Sequence, residues 1–218
     1  MAFIDTSSSV KSGEVSTHLD YVLQAFRDTL ADSNIKVDYK IITLSVLGCD
    51  GEGTISDLIL AIEDAEKRNA QICNLSLSTY KDCPELKEVI ETSNMVFIAA
   101  AGNEGENLDE GFPSYPVNYR LDNVISVAAL DDTGKMLKIS NYGENTVNVA
   151  VNGILKYKDE VIEGTSIATA RVTALASIIC SVSDVRLSSG ECKKRIEAWV
   201  KNNENSLQRL FANKNKML

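Results

Sequence analysis

Met95-Val96-Phe97-Ile98-Ala99-Ala100-Ala101 runs without a polar residue into Gly102-Asn103-Glu104-Gly105. A strand with one face in water alternates apolar and polar side chains, whereas a strand covered on both faces reads as a continuous apolar run. The stretch from Met95 to Ala100 therefore predicts a central strand of a parallel sheet, packed between helices and stopped by the glycine turn that follows.

Reading outward, short apolar runs alternate with longer segments of helical period, the pattern of βαβ units. Strands are expected over Ala2 to Ile4, Lys40 to Val46, Gln71 to Leu77 and Val124 to Ala129. Val147 to Val151 alternates like a further strand, and Ile154 to Ile162 fits a hairpin turning at Lys158-Asp159. Leu19, Val22, Leu23, Phe26 and Leu30 recur at spacings of three and four, which predicts a helix from about His18 to Ala31. Thr54 is placed to cap a helix carrying Ile55, Leu58, Ile59, Ile62 and Ala65. Leu86 to Thr92, Gly164 to Val182 and Ser188 to Asn202 read as three more. The fold class is α/β, and no composition break marks a linker, so residues 1–218 are expected to form one domain.

Bulk composition excludes several functions. A formal net charge of −9 is the wrong sign for a phosphate-binding face, so no nucleic-acid partner is expected. There is no run of about 18 apolar residues, so no membrane partner is expected either. Five cysteines without a metal-type pair, one histidine and no visible export signal point to reduced thiols, no metal site and a cytoplasmic location. Gly51-Glu52-Gly53 lacks the third glycine of a dinucleotide fingerprint, and no Walker-type motif occurs.

Three segments can carry chemistry. Gly164-Thr165-Ser166-Ile167-Ala168-Thr169-Ala170 puts Ser166 in the first turn of a buried helix, at the positive end of its dipole, where a hydroxyl can act as nucleophile or simply cap. Asn103 follows the strand that ends at Ala100, on the sheet edge where α/β proteins bind ligands; its amide could donate to a developing oxyanion or merely make a turn. Asp5 ends the first strand, where a carboxylate is either a cap or a group aimed at the same edge.

Taken in order, Phe3-Ile4-Asp5-Thr6, Ala100-Ala101-Gly102-Asn103-Glu104-Gly105 and Gly164-Thr165-Ser166-Ile167-Ala168-Thr169 resemble the aspartate, oxyanion and serine motifs of the subtilisin-like serine peptidases. Val46-Leu47-Gly48 through Gly51-Glu52-Gly53-Thr54, Asn74-Leu75-Ser76-Leu77-Ser78, Tyr115-Pro116 and Ser140-Asn141-Tyr142-Gly143 extend the resemblance. It implies a three-layer fold around a mostly parallel sheet and a Ser-His-Asp mechanism: Ser166 attacks, a histidine shuttles the proton, Asp5 orients it, and Asn103 holds the oxyanion. It further implies that Gly51, Gly53, Ser76, Leu77 and Ser78 flank an extended peptide, with Ala101 and Gly102 in one pocket wall and Ser114 near the pocket floor. The family's N-terminal segment, which many relatives use for calcium and for docking a pro-segment, has no counterpart. No cofactor is therefore expected, and calcium is doubtful.

The histidine departs from the family pattern. Where the family shows His-Gly-Thr-His-Val-Ala-Gly, this chain reads Ser16-Thr17-His18-Leu19-Asp20-Tyr21-Val22-Leu23. In one register His18 is the catalytic base; in the other that position is Val15, which cannot accept a proton. Ile167 and Ala170-Arg171 also depart from the usual residues, and Arg171 needs a partner that the sequence does not reveal. Glu104, Glu106, Asp109 and Glu110 share one loop and suggest a preference for Lys or Arg before the scissile bond. The expected function is a serine endopeptidase acting on a peptide or protein, with a specific precursor as the narrower expectation; the alternative is a catalytically silent relative that binds a peptide or partner protein in the same cleft.

Overall fold

The computed structural model describes residues 1–6, 17–48 and 51–202. Six parallel strands form the central sheet: β1 (Ala2–Thr6), β2 (Ile42–Leu47), β3 (Ile72–Leu75), β4 (Val96–Ala100), β5 (Val124–Leu130) and β6 (Val149–Asn152), in the order β2-β1-β3-β4-β5-β6. A two-stranded antiparallel hairpin, β7 (Ile154–Tyr157) and β8 (Glu160–Glu163), stands apart, turning at Lys158-Asp159 as its sequence predicts. The helices are α1 (His18–Asp32), α2 (Ile55–Lys67), α3 (Pro84–Thr92), α4 (Thr165–Ser181) and α5 (Ser189–Asn202).

Successive side chains of a strand face opposite ways, and the core divides accordingly. Ala2, Ile4, Cys73, Leu75, Phe97 and Ala99 pack with Leu58 and Ile62 of α2 and with Leu86 and Ile90 of α3. Their neighbours Ile72, Val96 and Ile98 join Ile125 and Val127 under Val172, Leu175 and Ala176 of α4 and Ile196 and Val200 of α5. Phe3 meets α1 and α4 on that same side, beside Val22, Phe26, Ile167 and Ala170. The result is three layers, α2 and α3, then the sheet, then α1, α4 and α5. This explains why β4 has no polar residue: all five of its residues are buried.

Helix α4 is buried nearly all round, which explains its composition. Its hydroxyls do not go unpaired. Thr169, Thr173 and Ser177 each donate to the carbonyl four residues back, at 2.7, 2.9 and 2.8 Å. Thr173 also accepts from the fully buried Asn74 amide at 2.9 Å. Arg171 has its partner: Nη2 donates to the Ile154 carbonyl at 2.7 Å, and burial holds the guanidinium pKa below its usual value, against the opposing charges of Asp28, Asp32 and Asp132.

Two elements differ from expectation. Strand β3 stops at Leu75, because Ser76 leaves the sheet to meet α4 and Thr79 instead exchanges backbone hydrogen bonds with Tyr115, at 3.0 and 2.8 Å. A short 3₁₀ turn at Val117–Tyr119 closes on Arg120 in the left-handed conformation, φ 53°.

Candidate active site

The order β2-β1-β3 places the end of β1 between the ends of its two neighbours. Asp5 lies at that end, next to an irregularity in pairing between Asp5 and Thr6 that re-aims the chain. Its Oδ1 accepts the Thr6 amide at 2.6 Å and lies 2.7 Å from Nδ1 of His18. The carboxylate side chain is 1% exposed and the imidazole 37%.

His18 is held there by local chemistry. Thr17 is the N-cap of α1 in a complete capping box: Asp20 donates its N–H to the Thr17 hydroxyl at 3.4 Å, and the Thr17 N–H donates to the Asp20 carboxylate at 2.8 Å. The Leu19 amide donates to the Thr6 hydroxyl at 3.4 Å, tying the start of α1 to the end of β1. A carboxylate only accepts, so Nδ1 carries the proton of this pair, and Nε2 is the ring nitrogen that can accept another. His18 is thus the ring beside Asp5; Val15, the position that the other register requires, lies outside the described residues.

Ser166 occupies the first turn of α4 and is 8% exposed. Its hydroxyl donates to the Ser76 carbonyl at 3.3 Å, and the Ser76 hydroxyl lies 3.3 Å from the Ser166 carbonyl. No hydrogen bond joins Ser166 to His18 in this resting arrangement. The Ser166 hydroxyl is instead engaged by the Ser76 carbonyl, a hydrogen bond it must leave before it can donate to any base.

Asn103 arrives from the end of β4 and is oriented by Thr165. Its Oδ1 accepts the Thr165 amide at 2.9 Å and the Thr165 hydroxyl at 3.0 Å. A backbone N–H can only donate, so the amide orientation is fixed, and Nδ2 has no hydrogen bond among the described residues. Thr165 in turn accepts the Gly102 amide at 3.3 Å. The N-terminus of α4 thus has no side-chain cap of its own and borrows one from this loop.

One residue without a role at the sequence level organises the loop. Asn141, fully buried, donates Nδ2 to the Ala101 carbonyl at 3.0 Å and to Glu104 at 2.6 Å, and accepts the Glu104 and Glu106 amides at 3.2 and 2.9 Å. Gly102, at φ +107°, has no room for a side chain: a Cβ there would stand 2.4 Å from Asn141 Nδ2 and 2.6 Å from Glu104 Oε2.

The acidic loop is not the open cluster its sequence suggests. Asp109 accepts from the Asn145 amide, the Thr146 hydroxyl and Arg120, at 2.8, 2.6 and 3.3 Å, so it ties the loop internally. Glu104 is shared between Asn141 and the Tyr80 hydroxyl, 2.8 Å away. Glu106 and Glu110 remain exposed.

The remaining predicted positions fall around the same edge. Gly51 and Gly53 are exposed, next to the end of β2; a Cβ on Gly53 would meet the Val46 carbonyl at 2.1 Å. After β3, Ser76 is buried, Leu77 half-buried and Ser78 exposed. Ala101 and Gly102 form the buried backbone between β4 and Asn103. Ser114 is fully buried, precedes the Tyr115 that pairs with Thr79, and its hydroxyl has no partner among the described residues.

The model of the subtilase family of peptidases matches residues 33–213. The chain belongs to the subtilase family. Among subtilases, it is similar to subtilisin DY from Bacillus licheniformis, with 27% identity over 195 residues, 85% of this chain and 70% of that protein. Other curated subtilases are spanned less completely, to 48% or 67% of their length. Two solved structures share the fold, each with a TM-score of 0.68. A cold-adapted subtilisin-like serine proteinase is 18% identical, with 90% of this chain and 80% of that one covered. A lanthipeptide protease is 17% identical, with 88% and 69% covered. The α/β subtilase fold expected from the motifs is therefore the observed one. Asp5 and His18 precede the matched segment, so their reading rests on geometry rather than on the family match.

Proposed function

We propose that this subtilase is a serine endopeptidase in which Ser166 attacks the peptide carbonyl, His18 Nε2 takes its proton and returns it to the leaving amine, and Asp5 holds the imidazolium. The observation that carries this reading is the 2.7 Å contact between His18 Nδ1 and Asp5 Oδ1 at the sheet edge where Ser166 begins α4. Asn103 Nδ2 and the Ser166 amide would receive the oxyanion, which is where the largest share of the rate gain is expected. A peptide would lie extended between residues 51–53 and 76–78, bonded through its backbone. Backbone bonding supplies affinity without reading sequence, so selection of one precursor segment would come from the pockets that take alternate side chains.

An active-site phosphonate probe tests the proposal on the intact chain. Covalent labelling is expected at Ser166, absent in Ser166→Ala and slowed about 10²–10⁴-fold in His18→Ala. A second reading, a catalytically silent subtilase that only binds peptides, draws on the resting hydrogen bond of Ser166 to Ser76 instead of to His18. Folded protein that binds peptides but never labels would establish it and refute the first.

A further inference from the structure

At the far end of α4 from Ser166, two thiols face one another across the junction with α5. Cys180, in the last turn of α4, and Cys192, in the first half of α5, have their sulfurs 3.6 Å apart. No other cysteine pair among the described residues comes this close, and no disulfide joins them. Cys192 is 2% exposed and packs with Ile196 and Val200 against the sheet, so its position is set by the core rather than by a loop. Cys180 is half-buried, and both line a cavity of about 180 Å³ with Gln71, Asn94, Arg186 and Ser189. A water molecule takes up about 30 Å³, so a small hydroperoxide fits while a protein does not.

We propose that Cys180 and Cys192 are a peroxide-responsive dithiol whose oxidation forms a disulfide that staples α5 to α4. A disulfide bond is about 2.05 Å long, so closure requires the sulfurs to approach by about 1.5 Å. The two sulfurs are not equivalent. Hydrogen bonding from Cys192 holds the Cys180 thiol below its usual pKa, opposed by burial and aided by Arg195, while that same contact raises Cys192. Cys180, half-buried where Cys192 is 2% exposed, is accordingly the attacking sulfur.

The chemistry balances in two steps. The Cys180 sulfur attacks one oxygen of hydrogen peroxide; the S–O bond forms, the O–O bond breaks, and the departing hydroxide leaves as water with the thiol proton, giving a sulfenic acid. The Cys192 sulfur then attacks Cys180; the S–S bond forms, the S–O bond breaks, and a second water carries off the Cys192 proton. Two thiols are oxidised and one peroxide is reduced. A dithiol reductant reverses the change by exchange. None of this draws on Ser166 or His18.

The test uses the reduced full chain, stoichiometric hydrogen peroxide, alkylation of remaining thiols and peptide mapping without reductant. The expected result is loss of two of the five thiols, recovery of one linked peptide pair containing Cys180 and Cys192, and full reversal by dithiothreitol. In Cys192→Ser the reaction should stop at a sulfenic acid on Cys180, trapped by dimedone. Closing a loop of this size should raise Tm by about 6–12 °C in the oxidised form. Both thiols remaining alkylatable, a bond from Cys180 to Cys49, Cys73, Cys83 or a second chain, oxidation to sulfinic acid without a link, or an unchanged Tm would each overturn the proposal.

Discussion

Asn103 carries two duties that one pair of substitutions can separate. Its Oδ1 accepts both the amide and the hydroxyl of Thr165, which is fully buried, and its Nδ2 is the donor left for an oxyanion. Asn103→Ala removes both functions. Loss of the borrowed cap should cost about 1–2 kcal/mol, or about 2–8 °C in Tm for a chain of this size. Loss of the oxyanion donor should slow the chemistry about 10²–10³-fold, a magnitude that comes from within this same family and is carried over rather than worked from these distances. Asn103→Asp keeps an acceptor facing Thr165 and adds a negative charge at the N-terminus of α4, worth about 0.3–1 kcal/mol in the favourable direction. It also replaces the donor with a second acceptor facing the developing anion. The aspartate variant should therefore melt at or above the wild-type temperature yet label with the phosphonate probe at least as slowly as the alanine variant. Melting by scanning fluorimetry and labelling rates by mass spectrometry read the two effects separately. Labelling of Asn103→Asp within ten-fold of wild type would refute the donor role, and melting as low as the alanine variant would refute the capping role.

Three further substitutions probe the surrounding scaffold. Gly102→Ala forces a Cβ against the Asn141 amide at a backbone angle that L-residues rarely adopt, and should destabilise by about 1–3 kcal/mol, read as a lower urea midpoint. Asp109 is held below its ordinary pKa chiefly by the Asn145 amide, then by the Thr146 hydroxyl and Arg120. A depressed carboxylate stabilises the fold above its unfolded value, near pH 4, and loses that contribution as pH falls through the folded value. Asp109→Asn should thus be less stable than wild type at pH 7, with the gap narrowing as pH falls below about 4; a gap independent of pH would contradict this. Ser114→Ala removes a buried hydroxyl without a partner among the described residues and should leave Tm unchanged or raise it by a few degrees, a clear drop being the contrary result.

The layers were legible because burial leaves a mark on composition. The unbroken apolar run of β4, the all-round apolar α4 and the alternating hairpin each state their surroundings in local sequence, and Thr54 does cap α2. The turn at Val117–Tyr119 left no such mark, being too short to show a period. The placement of Asp5, Ser166 and Asn103 at one edge could be read for the same reason, since each lies where an apolar run meets polar chain. Asn141 could not, because what it organises is backbone 35 to 40 residues away. The acidic loop misled for a related reason: Asp109 looks free in sequence, but its partners Asn145 and Thr146 come from 36 and 37 residues further on.

The segment before residue 33 lacks the family's usual histidine motif, yet the sheet gives it little freedom. Strand β1 pairs with both β2 and β3, and a slip of one residue would exchange Phe3 with its neighbours Ala2 and Ile4 between opposite faces of the core. Asp5 is therefore placed by strand register, whatever local motif surrounds it. His18 is placed by packing: Leu19, Val22 and Phe26 share one cluster with Ile167 and Ala170, and Phe26 meets Phe3 edge-on at 5.2 Å. Leu19 and Ile167 are the immediate chain neighbours of His18 and Ser166. Packing in that cluster holds α1 against α4 beside both residues, and Ile167, where methionine is usual in the family, is part of that surface.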